Sequence, residues 1–155
     1  MPGMPIADIH RAATPYIIVD GAARAIDFYK TSFGATELVR LTDASGKIQH
    51  AEILVGSARL MLADEFPEMG YRSPKSLGGS PVSFLLYVKD VDAFFAKATA
   101  GGATETMAVT DTFDGDRRGT LTDPFGHAWL IATKREEISY EELRSRFAKM
   151  MAHLA

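Results

Sequence analysis

Apolar and polar positions along this chain follow two periods, and the switch between them happens twice in the same order. Residues 15–19 (PYIIV) form a short apolar run closed by Asp20 and Gly21, the pattern of a buried strand. Ala22, Ala25, Ile26, Tyr29 and Phe33 then fall three and four apart, one stripe of an amphipathic helix. Gly34 is placed to end that helix, since a left-handed residue costs least at glycine. Residues 36–41 read as a strand, and Asp43 to Gly46 as a turn. Residues 48–55 alternate, with Ile48, His50, Glu52 and Leu54 on one face and Ala51, Ile53 and Val55 on the other. Gly56-Ser57 fits a two-residue hairpin loop before a strand over 58–63.

The order then repeats. Residues 82–88 read as a strand, and Val91, Phe94, Phe95 and Ala98 as a helix stripe ended by Gly101-Gly102. Strands follow over 104–109, 117–122 and 127–133, separated by Asp114-Gly115 and Asp123-Pro124-Phe125-Gly126. The tetrapeptide GATE marks the same place in both halves, at 34–37 and again at 102–105. The chain therefore reads as two strand–helix–three-strand units, 14–65 and 82–133, within one domain spanning 1–155. A duplicated unit directs attention to the space between the copies. Residues 66–81, rich in Pro, Gly and Ser, read as the connector: a binding loop or a plain tether.

A tail follows that the first unit lacks. Ser139 with Glu142 three residues on is a capping box opening a helix over 139–153. Leu143, Phe147, Met150, Met151 and Leu154 make its apolar stripe, which has to cover either its own sheet or a second subunit.

Composition narrows the chemistry. The chain has 155 residues, 46% hydrophobic and 24% charged, within the range of an ordinary globular domain. It has no cysteine, which excludes disulfides, Cys–zinc sites and thiol catalysis. A net charge of -3 argues against nucleic acid as a partner. No apolar run approaches the ~20 residues that span a membrane. Residues 1–13 carry Asp8, His10 and Arg11 and no signal-peptide core, so the expected location is cytoplasmic. The acids of 111–116 lack the spacing of an EF-hand loop. Neither a P-loop nor a nucleophile elbow is present.

Ala25-Ile-Asp-Phe-Tyr29 with Phe33-Gly34-Ala35, and Asp123-Pro-Phe-Gly-His-Ala-Trp-Leu-Ile131, resemble the vicinal oxygen chelate superfamily of glyoxalases, bleomycin-resistance proteins and dioxygenases. His50-Ala-Glu-Ile-Leu54, Met61-Leu-Ala-Asp-Glu65 and Gly115-Asp-Arg-Arg-Gly119 look like its PhnB-like branch. The resemblance implies an α+β fold: two βαβββ units forming a curved, mostly antiparallel sheet around a cavity, plus a C-terminal helix. It also implies a homodimer. Metal-dependent members place one ligand on the first and last strand of each unit. Aligned on the helix-end glycines and the glycine before each last strand, those positions fall near Thr14, Leu60, Ser83 and Leu130, none a strong metal ligand. The expectation is no metal and no cofactor.

Strand alternation places Tyr16, Ile18, Leu60, Ser83, Leu85, Tyr87 and Leu130 on the cavity side, a mostly apolar, aromatic-bearing lining. Arg118 and Thr120 join them, and an inward arginine suits an anionic or carbonyl-bearing ligand. The alternative for Arg118 is pairing with Asp114 and Asp116. His50 and Glu52 are the candidate catalytic pair, as base and orienter, or as a weak metal site; the plain alternative is a half-solvated His–Glu hydrogen bond. His127 reads as packed beside Trp129 on the helix-covered face, unless a bulge reverses it. The functional expectation is a metal-free protein that binds a small apolar or aromatic molecule in the cavity between the two units. The alternative is a lyase or dioxygenase of the same superfamily using His50 and Glu52. A purely structural or regulatory dimer is a third possibility.

Overall fold

The computed structural model describes residues 3–5 and 7–155; Met1, Pro2 and Ile6, part of the N-terminal stretch read above, lie outside the described residues. The chain divides into two compact units, one ending at Leu77 and the other beginning at Gly78.

The first unit contains β1 (Tyr16–Val19), α1 (Ala22–Phe33), β2 (Thr36–Thr42), β3 (Ile48–Val55) and β4 (Ala58–Asp64). Its sheet runs β1-β4-β3-β2, with β1 parallel to β4 and the other pairs antiparallel. The α1 stripe packs on one face of that sheet, burying Ala25, Ile26, Tyr29 and Phe33 against Ile53, Leu60 and Leu62. Each large apolar side chain removed from water contributes roughly 1.5–3 kcal/mol. Gly34 at φ 70° ends the helix, and the Ala35 amide turns back to the Tyr29 carbonyl at 2.9 Å. The helix start has no side-chain cap of its own. Instead Asp64, at the end of β4, takes the amides of Gly21 (3.1 Å) and Ala22 (2.8 Å) on Oδ1 and that of Ile48 (2.8 Å) on Oδ2.

One strand face departs from simple alternation. β2 pairs Leu41 with His50 and then Thr42 with Ile48, passing over Gln49. This bulge carries Ile48 onto the buried face, away from His50 and Glu52, where the alternation had placed it. The connector is also more ordered than a tether. Phe66 and Tyr71 exchange backbone hydrogen bonds at 2.9 and 3.1 Å around a 3-10 turn at Pro67–Met69, and α2 (Pro74–Leu77) follows.

The second unit contains β5 (Ser83–Tyr87), α3 (Val91–Ala100), β6 (Thr104–Asp111), β7 (Asp116–Thr122), β8 (Ala128–Lys134) and α4 (Tyr140–Leu154). Its sheet order, β5-β8-β7-β6, repeats the first with one parallel edge pair. The strands thus form two separate four-stranded mixed sheets, one per unit. In both, the ladder slips just after the GATE glutamate, between Glu37 and Val39 and between Glu105 and Met107. The Thr133 hydroxyl accepts the Val91 amide at 2.9 Å, doing for α3 what Asp64 does for α1. Gly119 lets α3 come close: a Cβ there would lie 2.7 Å from Phe95 Cζ and 2.9 Å from Val109 Cγ2.

Ser139 caps α4 by accepting the Glu142 amide at 3.1 Å. Arg146 pairs with Glu136 and Glu142, and the Phe147 ring lies 5.7 Å from Phe113. No α4 residue is buried, and Phe147, Met151 and Leu154 are exposed. Among the described residues no helix is long and apolar enough to cross a membrane.

Candidate functional site

The face of the first sheet not covered by α1 carries a connected polar row. β1, β3 and β4 set its register: Tyr16 pairs with Met61, and Met61 pairs with Glu52. The Tyr16 hydroxyl lies 2.8 Å from His50 Nδ1, and His50 Nε2 lies 3.1 Å from Glu52 Oε1. Arg59 Nη1 binds the other carboxylate oxygen, Glu52 Oε2. The His50 side chain is 26% exposed and that of Glu52 14%, so the row is only partly shielded from solvent. Burial, with Tyr71 as a second cause, raises the Tyr16 hydroxyl above its ordinary value. Tyr16 is therefore a neutral phenol at neutral pH.

Beside this row lies a cavity of about 490 Å³ lined by Tyr16, Ile18, Gln49, Ala63, Phe66, Met69 and Tyr71. Its floor is the sheet and its wall is the connector. Several contacts hold that wall. The Glu65 carboxylate accepts the Ser73 amide at 2.6 Å, and bonds from Ser76 and Ser73 hold it down to about 2. Lys47 donates to the Glu65 carbonyl at 2.8 Å and stands 4.6 Å above the Phe66 ring.

The open face of the second sheet carries Ser83, Leu85, Tyr87, Arg118, Thr120 and Leu130 in register: Leu85 pairs with Leu130 and Leu130 with Thr120. Tyr87 donates to Asp116 Oδ2 at 2.8 Å, and this bond, followed by burial, raises the Tyr87 hydroxyl. Arg118 binds Asp114 at 3.0 Å and Asp116 at 3.4 Å, so its guanidinium is held by two carboxylates. Arg117 points the other way, to Asp92 on α3 and to Asp111. A cavity of about 510 Å³ in this unit is ringed by Asp111, Asp116, Arg117, Arg135, Glu136 and Arg146, but the Arg117–Asp111 and Arg146–Glu136 pairs take up much of its charge.

Leu60 is not on the open face. It pairs with Ile53 and is buried beneath α1, and Met61 takes the position assigned to it. The hairpin loops explain the error. Two residues separate the closing pair Val55 and Ala58, and five separate Thr122 and Ala128. Gly56 and Gly126 each stand two residues before the closing residue of the last strand, but Val55 and Ala58 close on the α1-covered face and Thr122 and Ala128 on the open face. Aligning on Gly56 and Gly126 therefore matched a core leucine with an open-face one. Counting across the tight Gly56-Ser57 loop would have found both Met61 and Arg59, which sequence reasoning missed. His127 is buried, with its ring 6.3 Å from Phe84.

The ligand positions that the resemblance implies hold Thr14 and Met61 in the first unit and Ser83 and Leu130 in the second, none of them a strong ligand for a divalent ion. Among the described residues no three His, Cys, Asp or Glu side chains are grouped to hold one.

The family model described as Glyoxalase/Bleomycin resistance protein/Dioxygenase superfamily matches residues 8–131. The chain belongs to that superfamily. The uncharacterised Mycobacterium bovis protein Mb0911c is 42% identical over 141 residues, covering 89% of this chain and 93% of its own. The X-ray structure of the Arabidopsis thaliana gene product At5g48480 is similar at 30% identity and a TM-score of 0.64, over 78% of this chain and 97% of that one. The PhnB protein of Bacillus cereus shares the fold at 17% identity, with a TM-score of 0.63 over 79% of this chain and 99% of its own. This superfamily member therefore has the fold its motifs implied.

Proposed function

We propose that this superfamily member binds a small apolar or aromatic molecule, without a metal, in the cavity of its first unit. The observation that carries this reading is the 490 Å³ volume walled by Tyr16, Ile18, Phe66, Met69 and Tyr71. Small-ligand sites commonly measure ~300–1,000 Å³, with apolar walls and few polar groups. Met69 is exposed on the connector, so Met69→Glu can spoil the cavity without touching the core. Thermal-shift screening of aromatic compounds should find a stabilising ligand, and Met69→Glu should remove the shift. A full equivalent of a divalent metal in protein purified without chelators would count against the metal-free part.

The Tyr16–His50–Glu52–Arg59 row favours a second reading, an acid–base enzyme of lyase type. His50→Ala and Glu52→Ala would then abolish turnover and leave the fold intact. Undiminished turnover in both variants would exclude it.

We also propose a cytoplasmic homodimer, and the exposed α4 stripe supports α4 as its contact.

A further inference from the structure

We infer that the first-unit cavity selects ligands bearing an O–H or N–H donor, because the Tyr16 oxygen is fixed as a hydrogen-bond acceptor by the row behind it. The inference rests on the small-molecule reading above and adds to it the ligand's chemical class, an aromatic or apolar molecule carrying a phenol-like or aniline-like donor.

Arg59 sets the order of protons along the row. A guanidinium has only donors, and it holds Glu52 Oε2. The carboxylate Glu52 has only acceptors. The group facing its Oε1 at 3.1 Å, His50 Nε2, must therefore carry the ring proton. A neutral imidazole has one N–H, which makes Nδ1 an acceptor. The only proton available to the 2.8 Å contact between Nδ1 and the Tyr16 hydroxyl is the phenol's own. Tyr16 thus gives its single proton to His50 and keeps lone pairs for whatever occupies the cavity it lines. A ligand acceptor placed there meets another acceptor. A ligand donor completes the chain.

The row also says how to reverse the preference. In Glu52→Gln, Arg59 still requires an acceptor and holds the new amide by its carbonyl. The amide NH₂ then faces His50 Nε2. The imidazole is driven to the other tautomer, Nδ1–H donates to the Tyr16 oxygen, and the Tyr16 hydroxyl proton is released toward the cavity. An acceptor-bearing ligand becomes the better partner.

The test compares 2-naphthol, which can donate, with 2-methoxynaphthalene, which can only accept, at a mildly alkaline pH. Wild type should bind 2-naphthol about ten-fold tighter, the worth of one hydrogen bond. Tyr16→Phe should bring the two within about two-fold, and Glu52→Gln should invert the order. Equal affinities in wild type, or an unchanged preference in Glu52→Gln, would overturn the inference and leave the binding reading standing. Failure of both probes to bind would overturn both. Nitrogen-15 NMR of the His50 ring decides the central step without a ligand. Nε2 should carry the proton, and a proton on Nδ1 in wild type would overturn the inference.

Discussion

The Asp64 carboxylate accepts the Ala22 amide at 2.8 Å, which ties the last residue of β4 to the first residue of α1. The same carboxylate takes Gly21 and Ile48, so one buried side chain serves three backbone donors. Asp64→Ala should destabilise the first unit by about 2–4 kcal/mol, combining the loss of a helix cap with amides left unsatisfied. Asp64→Asn, which keeps one acceptor oxygen, should recover part of this. Urea unfolding followed by far-ultraviolet circular dichroism measures both.

The close approach of α3 to β7 makes a second stability prediction. Gly119→Ala puts a methyl group against Phe95 and Val109 in a packed core. The expected cost is about 1–3 kcal/mol of overpacking, read as a lower thermal midpoint. An unchanged midpoint would mean that β7 and α3 can separate at no cost.

Glu65 links the cavity wall to pH. Its carboxylate is held down to about 2, below its ordinary 4.5, first by the Ser76 hydroxyl and then by Ser73. A depressed carboxylate stabilises the fold in full above its unfolded value and loses that contribution as the pH falls through the folded value. The Glu65 contribution should therefore be intact above about pH 4.5 and fade as pH falls toward about 2. The Ser73 amide, which donates to Glu65 at 2.6 Å, reports this directly by NMR. A midpoint near 4.5 in its chemical shift would contradict the role given to the serines.

The α4 stripe yields a prediction about assembly. Phe147 and Met151 are about half exposed, and α4 carries no buried residue. If that stripe is the homodimer contact, Met151→Glu should shift the mass measured by light scattering from dimer to monomer. The circular dichroism should be unchanged. A wild-type monomer would return α4 to a purely local role.

Most of the fold was legible because its signals are local. The Ala22-to-Phe33 stripe, Gly34, the Gly56-Ser57 loop and the repeated GATE each act within a few residues, and the elements formed where those signals placed them. The site was less legible because strand faces depend on register, which is a property of pairs. A single skipped residue, Gln49, moved Ile48 to the other face, and two hairpins closing on opposite sheet faces did the same to Leu60. The connector's contribution through Phe66, Met69 and Tyr71 had no periodic signal, since it depends on a hydrogen-bonded turn formed after β4 ends. The acids around Arg118 were visible in the sequence. Their capture of its guanidinium follows from β7 bringing Asp116 onto the same face.

The most direct test of the account is an amide NMR titration of the full chain with 2-naphthol. The account predicts saturable shifts concentrated at Tyr16, Ile18, Ala63, Phe66, Met69 and Tyr71, the lining of the first-unit cavity. Shifts confined to the charged cavity of the second unit, around Asp111, Arg117 and Arg146, would contradict it, as would no saturable shift at all.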